Sequence, residues 1–305
     1  MIKLDRYSGD FEEEYWEGVA KVLDDSVREQ ICRSSRTFLP EDFFEKSGTD
    51  LKELVLAPFA KLKEAETHIR TVSGSIMDKE CFRAKSRKLK HPWLEFSQAF
   101  AKMADARRDK DSMRVRIVKQ AGLTVCPYCN RDYINCRAGH VSGAQMDHFF
   151  SKSEYPVFAI SLYNLVPVCA NCNRVKSSRN NIFASPFDET LDWEKELTFV
   201  FQMESLDHVE IDITSENQAV RNNLEAMRIR EAYRIHELEV KEILEKHQAY
   251  SRSQREEIRE VLRGADISDD EIKRVIFGPE ITPEDRKKKP LGKLLHDLQK
   301  ELELY

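Results

Sequence analysis

The chain has 305 residues, 41% of them hydrophobic and 34% charged, with a net charge of −5. That is chain enough for two or three domains. No run approaches the ~18–20 apolar residues of a membrane span, and Met1–Tyr7 has no signal-peptide apolar core, so a cytoplasmic protein without membrane attachment is expected.

Residues 1–50 read as helical and acidic. Asp10 and Glu13 have capping-box spacing. Phe11, Tyr15, Val19 and Val22 recur at helical intervals, as a core-facing stripe or a face that docks on a partner. Residues 50–75 repeat the theme, with Asp50 as cap, Leu51, Leu54 and Val55 as stripe, and Pro58 ending or kinking the helix. Residues 79–119 then carry 13 Lys/Arg against 5 Asp/Glu, a surplus of eight positive charges in a chain of net charge −5, so the remainder holds −13. Arg87, Lys88, Lys90, Arg107 and Arg108 in this stretch are candidate phosphate contacts. The plainer reading is the solvated face of two amphipathic helices, and the two are compatible. Trp93 and Phe96 read as core rather than as base-stacking residues.

Next comes the stretch with the densest chemistry. Cys126-Pro127-Tyr128-Cys129 and Cys169-Ala170-Asn171-Cys172 are two Cys-x-x-Cys pairs, the spacing of a closed tetrahedral zinc site. Disulfides and a redox pair are the alternatives. Nothing suggests export, and a redox pair needs no second copy. Of the seven cysteines, Cys32, Cys81 and Cys136 remain scattered, as buried thiols would be. Between the pairs, Ala144–His148 alternates in strand fashion, which points Asp147 and His148 to opposite faces. Asn164 precedes the apolar run Leu165–Val168, and Asn173 follows Cys172 at the start of a helix reaching Lys176. Alone, either Asn reads as a turn or cap residue.

Taken together, Cys126, Cys129, Asp147, His148, Asn164, Leu165, Cys169, Cys172, Asn173 and Lys176 follow the ordered pattern of the HNH endonucleases, which the stretch 120–180 resembles. That family has a ββα-metal fold on a zinc-binding treble clef. Asn173 stands where many members have His, a variant found in active ones. Longer matches, such as Asp147-His148-Phe149-Phe150-Ser151-Lys152, are similar to the nuclease subunit of Septu-type bacterial anti-phage systems, which works beside an ATPase. Ser151 departs from that subgroup, where Pro is more usual. The resemblance implies His148 as general base and Asp147 and Asn173 as oxygen ligands of Mg²⁺ or Mn²⁺. Structural Zn²⁺ would sit on the four cysteines, and Asn164 would hold the loop that orients His148. Lys176, with Arg174 as a weaker candidate, would contact phosphate. It further implies hydrolysis of DNA to 5′-phosphate and 3′-hydroxyl ends, an ATPase partner, and a hetero-oligomer. RNA as target, a non-catalytic zinc-stapled binding subunit, and a nuclease silent without its partner are the competing readings.

Residues 191–214 switch to period two. Phe199, Phe201 and Met203, then Val209, Ile211 and Ile213, predict a β-hairpin with His208 in its turn. From about Asn217 the chain reads as helical. Ser268 and Glu271 form a capping box, Pro279 to Pro290 is a loop, and Leu294, Leu295, Leu298 and Leu302 line a final helix, either core or docking face. The expected fold is mainly α, of α+β character. It has a helical region (1–118) turning basic, a central ββα-metal HNH module with Cys₄ zinc (119–190), and a C-terminal hairpin with helices (191–305).

Overall fold

The computed structural model describes residues 1–44, 51–72, 92–104, 107–108, 111–176, 183–205, 208–262 and 267–305. Helix α1 (Gly9–Val22) starts at Ser8, whose hydroxyl accepts from the Phe11 N–H. Ser8, not Asp10, is therefore the cap, because the helix begins a residue before the predicted box. The fourfold spacing puts Phe11, Tyr15 and Val19 on one buried face. Each such side chain contributes about 1.5–3 kcal/mol on full burial. Helices α2 (Asp25–Ser35), α3 (Leu51–Val55) and α4 (Phe59–Val72) follow. Pro58 stands between α3 and α4, and its carbonyl accepts from Leu62, so it opens α4. The predicted cap Asp50 lies outside the described residues.

In α5 (Pro92–Ala104), Trp93 and Phe96 are buried in the core. The short strands β1 (Arg107–Arg108) and β2 (Asp111–Ser112) pair antiparallel, and Ser112 caps α6 (Met113–Gln120). Two strands then form a second antiparallel pair, β3 (Gln145–His148) with β4 (Leu165–Val168), placing Asp147 opposite Val166 and His148 opposite Leu165. Helix α7 (Ala170–Lys176) follows β4 directly. Gly143 lets the chain entering β3 pass close to the backbone of Ile134 and Asn135, since a Cβ there would lie 2.6 Å from the Asn135 carbonyl oxygen.

The predicted hairpin is β5 (Thr198–Ser205) with β6 (His208–Thr214), pairing Phe199 with Ile213 and Phe201 with Ile211. His208 is not in the turn. It opens β6, and its Nδ1 meets Glu237 Oε1 at 2.7 Å. Among the described residues, α8 (Gln218–Ala226), α9 (Ile229–Tyr233), α10 (Glu237–Ala249), α11 (Arg252–Val261), α12 (Asp269–Phe277), α13 (Pro283–Arg286) and α14 (Gly292–Glu301) follow. The Ser268–Glu271 box caps α12. Helix α13 interrupts the expected loop, because Thr282 and Asp285 form a box of their own around Pro283. On α14, Leu294 and Leu298 are fully buried and the helix packs on β5, so this last stripe is core.

One hydrophobic cluster runs from Tyr15 and Trp93 through Phe158 and Leu165 to Phe199 and Leu298. Backbone bonds stitch both chain ends to the middle. Ile2 N–H donates to the Pro127 carbonyl at 2.8 Å, and Leu291 N–H to the Asn130 carbonyl at 2.7 Å. Tyr15 Oη donates to Ile160 and Tyr233 Oη to Cys129. The cysteine stretch is thus cradled by the regions before and after it. Among the described residues, no helix is long and apolar enough to cross a membrane.

Candidate metal centre and adjacent cleft

Local backbone geometry brings the cysteines together. After Cys126 the chain turns so that Asn130 N–H donates to the Cys126 carbonyl at 2.8 Å. Asn130 takes a φ of 53°, a left-handed position that Asn tolerates well. The N–H of Arg131 then points at Cys129 Sγ, 3.4 Å away. The second pair repeats the device at the junction of β4 and α7, where Cys172 N–H lies 3.3 Å from Cys169 Sγ. All four sulfurs are buried and lie within 4.8 Å of one another. A tetrahedron of Zn–S bonds has an edge of about 3.8 Å, so a small contraction suits these residues to a metal ion such as zinc. Hydrogen bonds from the other three hold Cys129 well below the usual thiol range, while burial pushes Cys126 well above it.

Beside this cluster lies an open cleft of about 570 Å³, lined among others by Asp147, His148 and Asn173. Strand alternation does turn the first two apart. Asp147 faces Tyr128 and Lys176, and His148 faces Ala159 and the Phe100 ring. Both still border one cleft.

His148 Nε2 sits 3.0 Å from the Ala159 carbonyl oxygen. A carbonyl only accepts, so Nε2 carries the proton and Nδ1 keeps the lone pair. Burial pushes the imidazole pKa down to about 4, aided by the nearby Lys152 charge and opposed by Asp147. The ring is therefore a neutral base at physiological pH. Its loop is held by Asn164, which is fully buried. Asn164 Oδ1 accepts from Phe150 N–H at 2.7 Å, and Nδ2 donates to the Phe150 and Phe158 carbonyls at 3.1 and 2.8 Å. Phe158 and Ala159 are neighbours, so this amide fixes the carbonyl that holds His148. Tyr155 stacks on Phe158 over the same loop, whereas Tyr163 turns away to Tyr7 and Phe187. Asn173 Nδ2 donates to Gln145 Oε1 at 2.7 Å, which leaves its amide oxygen as a potential ligand.

Lys176 is not a surface cation. It is 3% exposed, and its ammonium lies 2.8 Å from Asp147 Oδ2 and within 3.4 Å of the His148 and Phe149 carbonyls. Its charge is engaged inside the protein. Arg174 is exposed on the same helix. Arg87, Lys88 and Lys90 lie outside the described residues, and of Arg107 and Arg108 only the β1 backbone is described. Two cations that the sequence reading did not single out line the cleft instead, Arg114 and Lys152. Arg114 belongs to the basic stretch, and Lys152 follows the Asp147–Ser151 motif. Position within those two features was the only signal for them.

Compared with models of protein families, with curated proteins and with solved structures, the chain finds no match.

Proposed function

We propose that the protein is a metal-dependent HNH-type endonuclease that hydrolyses phosphodiester bonds, with DNA as substrate. The observation that carries this reading is the joint presence on one cleft of a base, His148, and two oxygen donors, Asp147 and Asn173, beside a cluster of four cysteines. In this reading Zn²⁺ on Cys126, Cys129, Cys169 and Cys172 ties the first cysteine turn to the junction of β4 and α7. Asp147 and Asn173 would hold Mg²⁺ or Mn²⁺, whose hard-oxygen preference fits an aspartate and an amide. That ion, when bound, would offset negative charge on the phosphate and the leaving oxygen. His148 takes the proton of the attacking water at Nδ1, its ring held by the Ala159 carbonyl. Asn164 keeps that carbonyl in place. Lys152 and Arg114 contribute positive charge along the cleft that attracts the nucleic-acid backbone.

By the resemblance of its motifs, the chain would act in anti-phage defence with an ATPase partner. The test is incubation with plasmid DNA and with single-stranded RNA in Mg²⁺ or Mn²⁺, with a chelator control and analysis of the product ends. Metal-dependent cutting of DNA to 5′-phosphate ends is expected. Cutting of RNA alone would change the substrate. Failure to cut either, alone or with a candidate ATPase partner, would leave a zinc-stapled binding subunit.

A further inference from the structure

Asp147 does not approach the cleft as an ordinary surface carboxylate. Its Oδ2 accepts two buried hydrogen bonds, from Tyr128 Oη at 2.6 Å and from Lys176 Nζ at 2.8 Å. A carboxylate oxygen has two lone pairs, so Oδ2 is saturated. Among the described residues Oδ1 makes no hydrogen bond, and the residue borders the cleft. The donors come from opposite sides. Tyr128 sits inside the first Cys-x-x-Cys turn, flanked by two of the metal-binding cysteines, and is 1% exposed. Lys176 closes α7, the helix that carries Cys172. Both locks are therefore mounted on the two halves of the cysteine cluster.

We propose that Tyr128 and Lys176 are positioning residues that hold Asp147 as a one-oxygen ligand, and that through Tyr128 the cysteine cluster sets the geometry of the second metal site. The inference rests on the nuclease reading of that site. The Tyr128 phenol donates to the carboxylate and so fixes its rotation, leaving Oδ1 for a cation. The Lys176 ammonium balances the aspartate's charge. Partners of this kind behind a metal ligand change affinity by about 10–100-fold when removed.

Tyr128→Phe deletes one hydroxyl and keeps the ring. Mn²⁺ binding is measured by electron paramagnetic resonance of the free ion, without nucleic acid, on wild type, Asp147→Asn and Tyr128→Phe. Zinc content and unfolding temperature are read on the same samples. Wild type is expected to bind Mn²⁺, Asp147→Asn to lose binding, and Tyr128→Phe to bind about tenfold more weakly or worse at unchanged zinc content. Tyr128→Phe binding as tightly as wild type would overturn this proposal and leave the nuclease reading standing. Loss of zinc from Tyr128→Phe would also overturn it, because the hydroxyl would then serve the cysteine turn. Wild type that binds no Mn²⁺ would remove the second site altogether, and both readings with it.

Discussion

Asn164→Ala is the sharpest structural perturbation available. The side chain is fully buried and makes three hydrogen bonds, all to backbone groups of the loop that carries the Ala159 carbonyl. Alanine strands the Phe150 N–H and the Phe150 carbonyl, and leaves the Phe158 carbonyl with the Ser161 N–H alone, 3.2 Å away. Each buried polar group left unpaired costs about 1–3 kcal/mol. Phe150 is only partly buried and can recover some solvation, and losses that share a loop do not add. The expected destabilisation is about 2–4 kcal/mol, larger than most single substitutions give. Urea unfolding followed by far-UV circular dichroism reads it directly. A second consequence separates loop support from generic stability. With the Asn164 amide no longer tying Phe150 to the Phe158 carbonyl, the Ala159 carbonyl loosens its hold on His148, so any base function weakens under conditions where the variant is still fully folded. A loss below about 1 kcal/mol, the scale of an ordinary exposed hydrogen bond, would refute the claim that this amide holds the loop.

Three further outcomes follow from the same geometry. Cys169→Ser removes one of four clustered sulfurs and is expected to lose the bound metal and the cooperative unfolding transition. Metal analysis showing wild-type content would contradict the cluster assignment. Lys176→Met leaves Asp147 buried without its counter-charge and is expected to cost about 3–5 kcal/mol, much of it restored when Asp147→Asn is added; urea midpoints of the two variants decide. Burial holds His148 at about 4, below the ~6.5 of an unfolded histidine. The unfolded chain therefore takes up this proton first. The His148 contribution leaves stability unchanged above pH ~6.5 and lowers it as pH falls from there toward 4. Unfolding temperature between pH 4 and 8 should fall less steeply in His148→Asn than in wild type, and parallel curves would deny the shift.

What could be read before the fold was known, and what could not, divides along physical lines. The cysteine cluster was legible because ligand spacing is a local property: a Cys-x-x-Cys turn presents two sulfurs wherever it occurs, and all four meet. The β5–β6 hairpin was legible because alternation over several residues allows few other structures. Asn164 reads alone as a turn residue, and only the ordered motif around it pointed to loop support. The burial of Lys176 was not legible, because a lysine on a short helix gives no local sign of it. Its inward turn depends on Asp147, 29 residues earlier. Arg114 and Lys152 were missed for the same reason, as the cleft they line is made by α5, α6, β3 and α7 together. The chain's two ends were expected to belong to separate regions. Their hydrogen bonds to Pro127 and Asn130 make them supports of the cysteine turn, a fact that no window of sequence contains.

The central claim is that His148 is a general base beside a metal site. It is tested most directly by single-turnover cleavage of labelled DNA in Mn²⁺, with wild type and His148→Ala side by side at equal zinc content. Removing a positioned base is expected to slow cleavage by about 10²–10⁴-fold while zinc content and fold are retained. A His148→Ala protein that cuts at the wild-type rate would contradict the account.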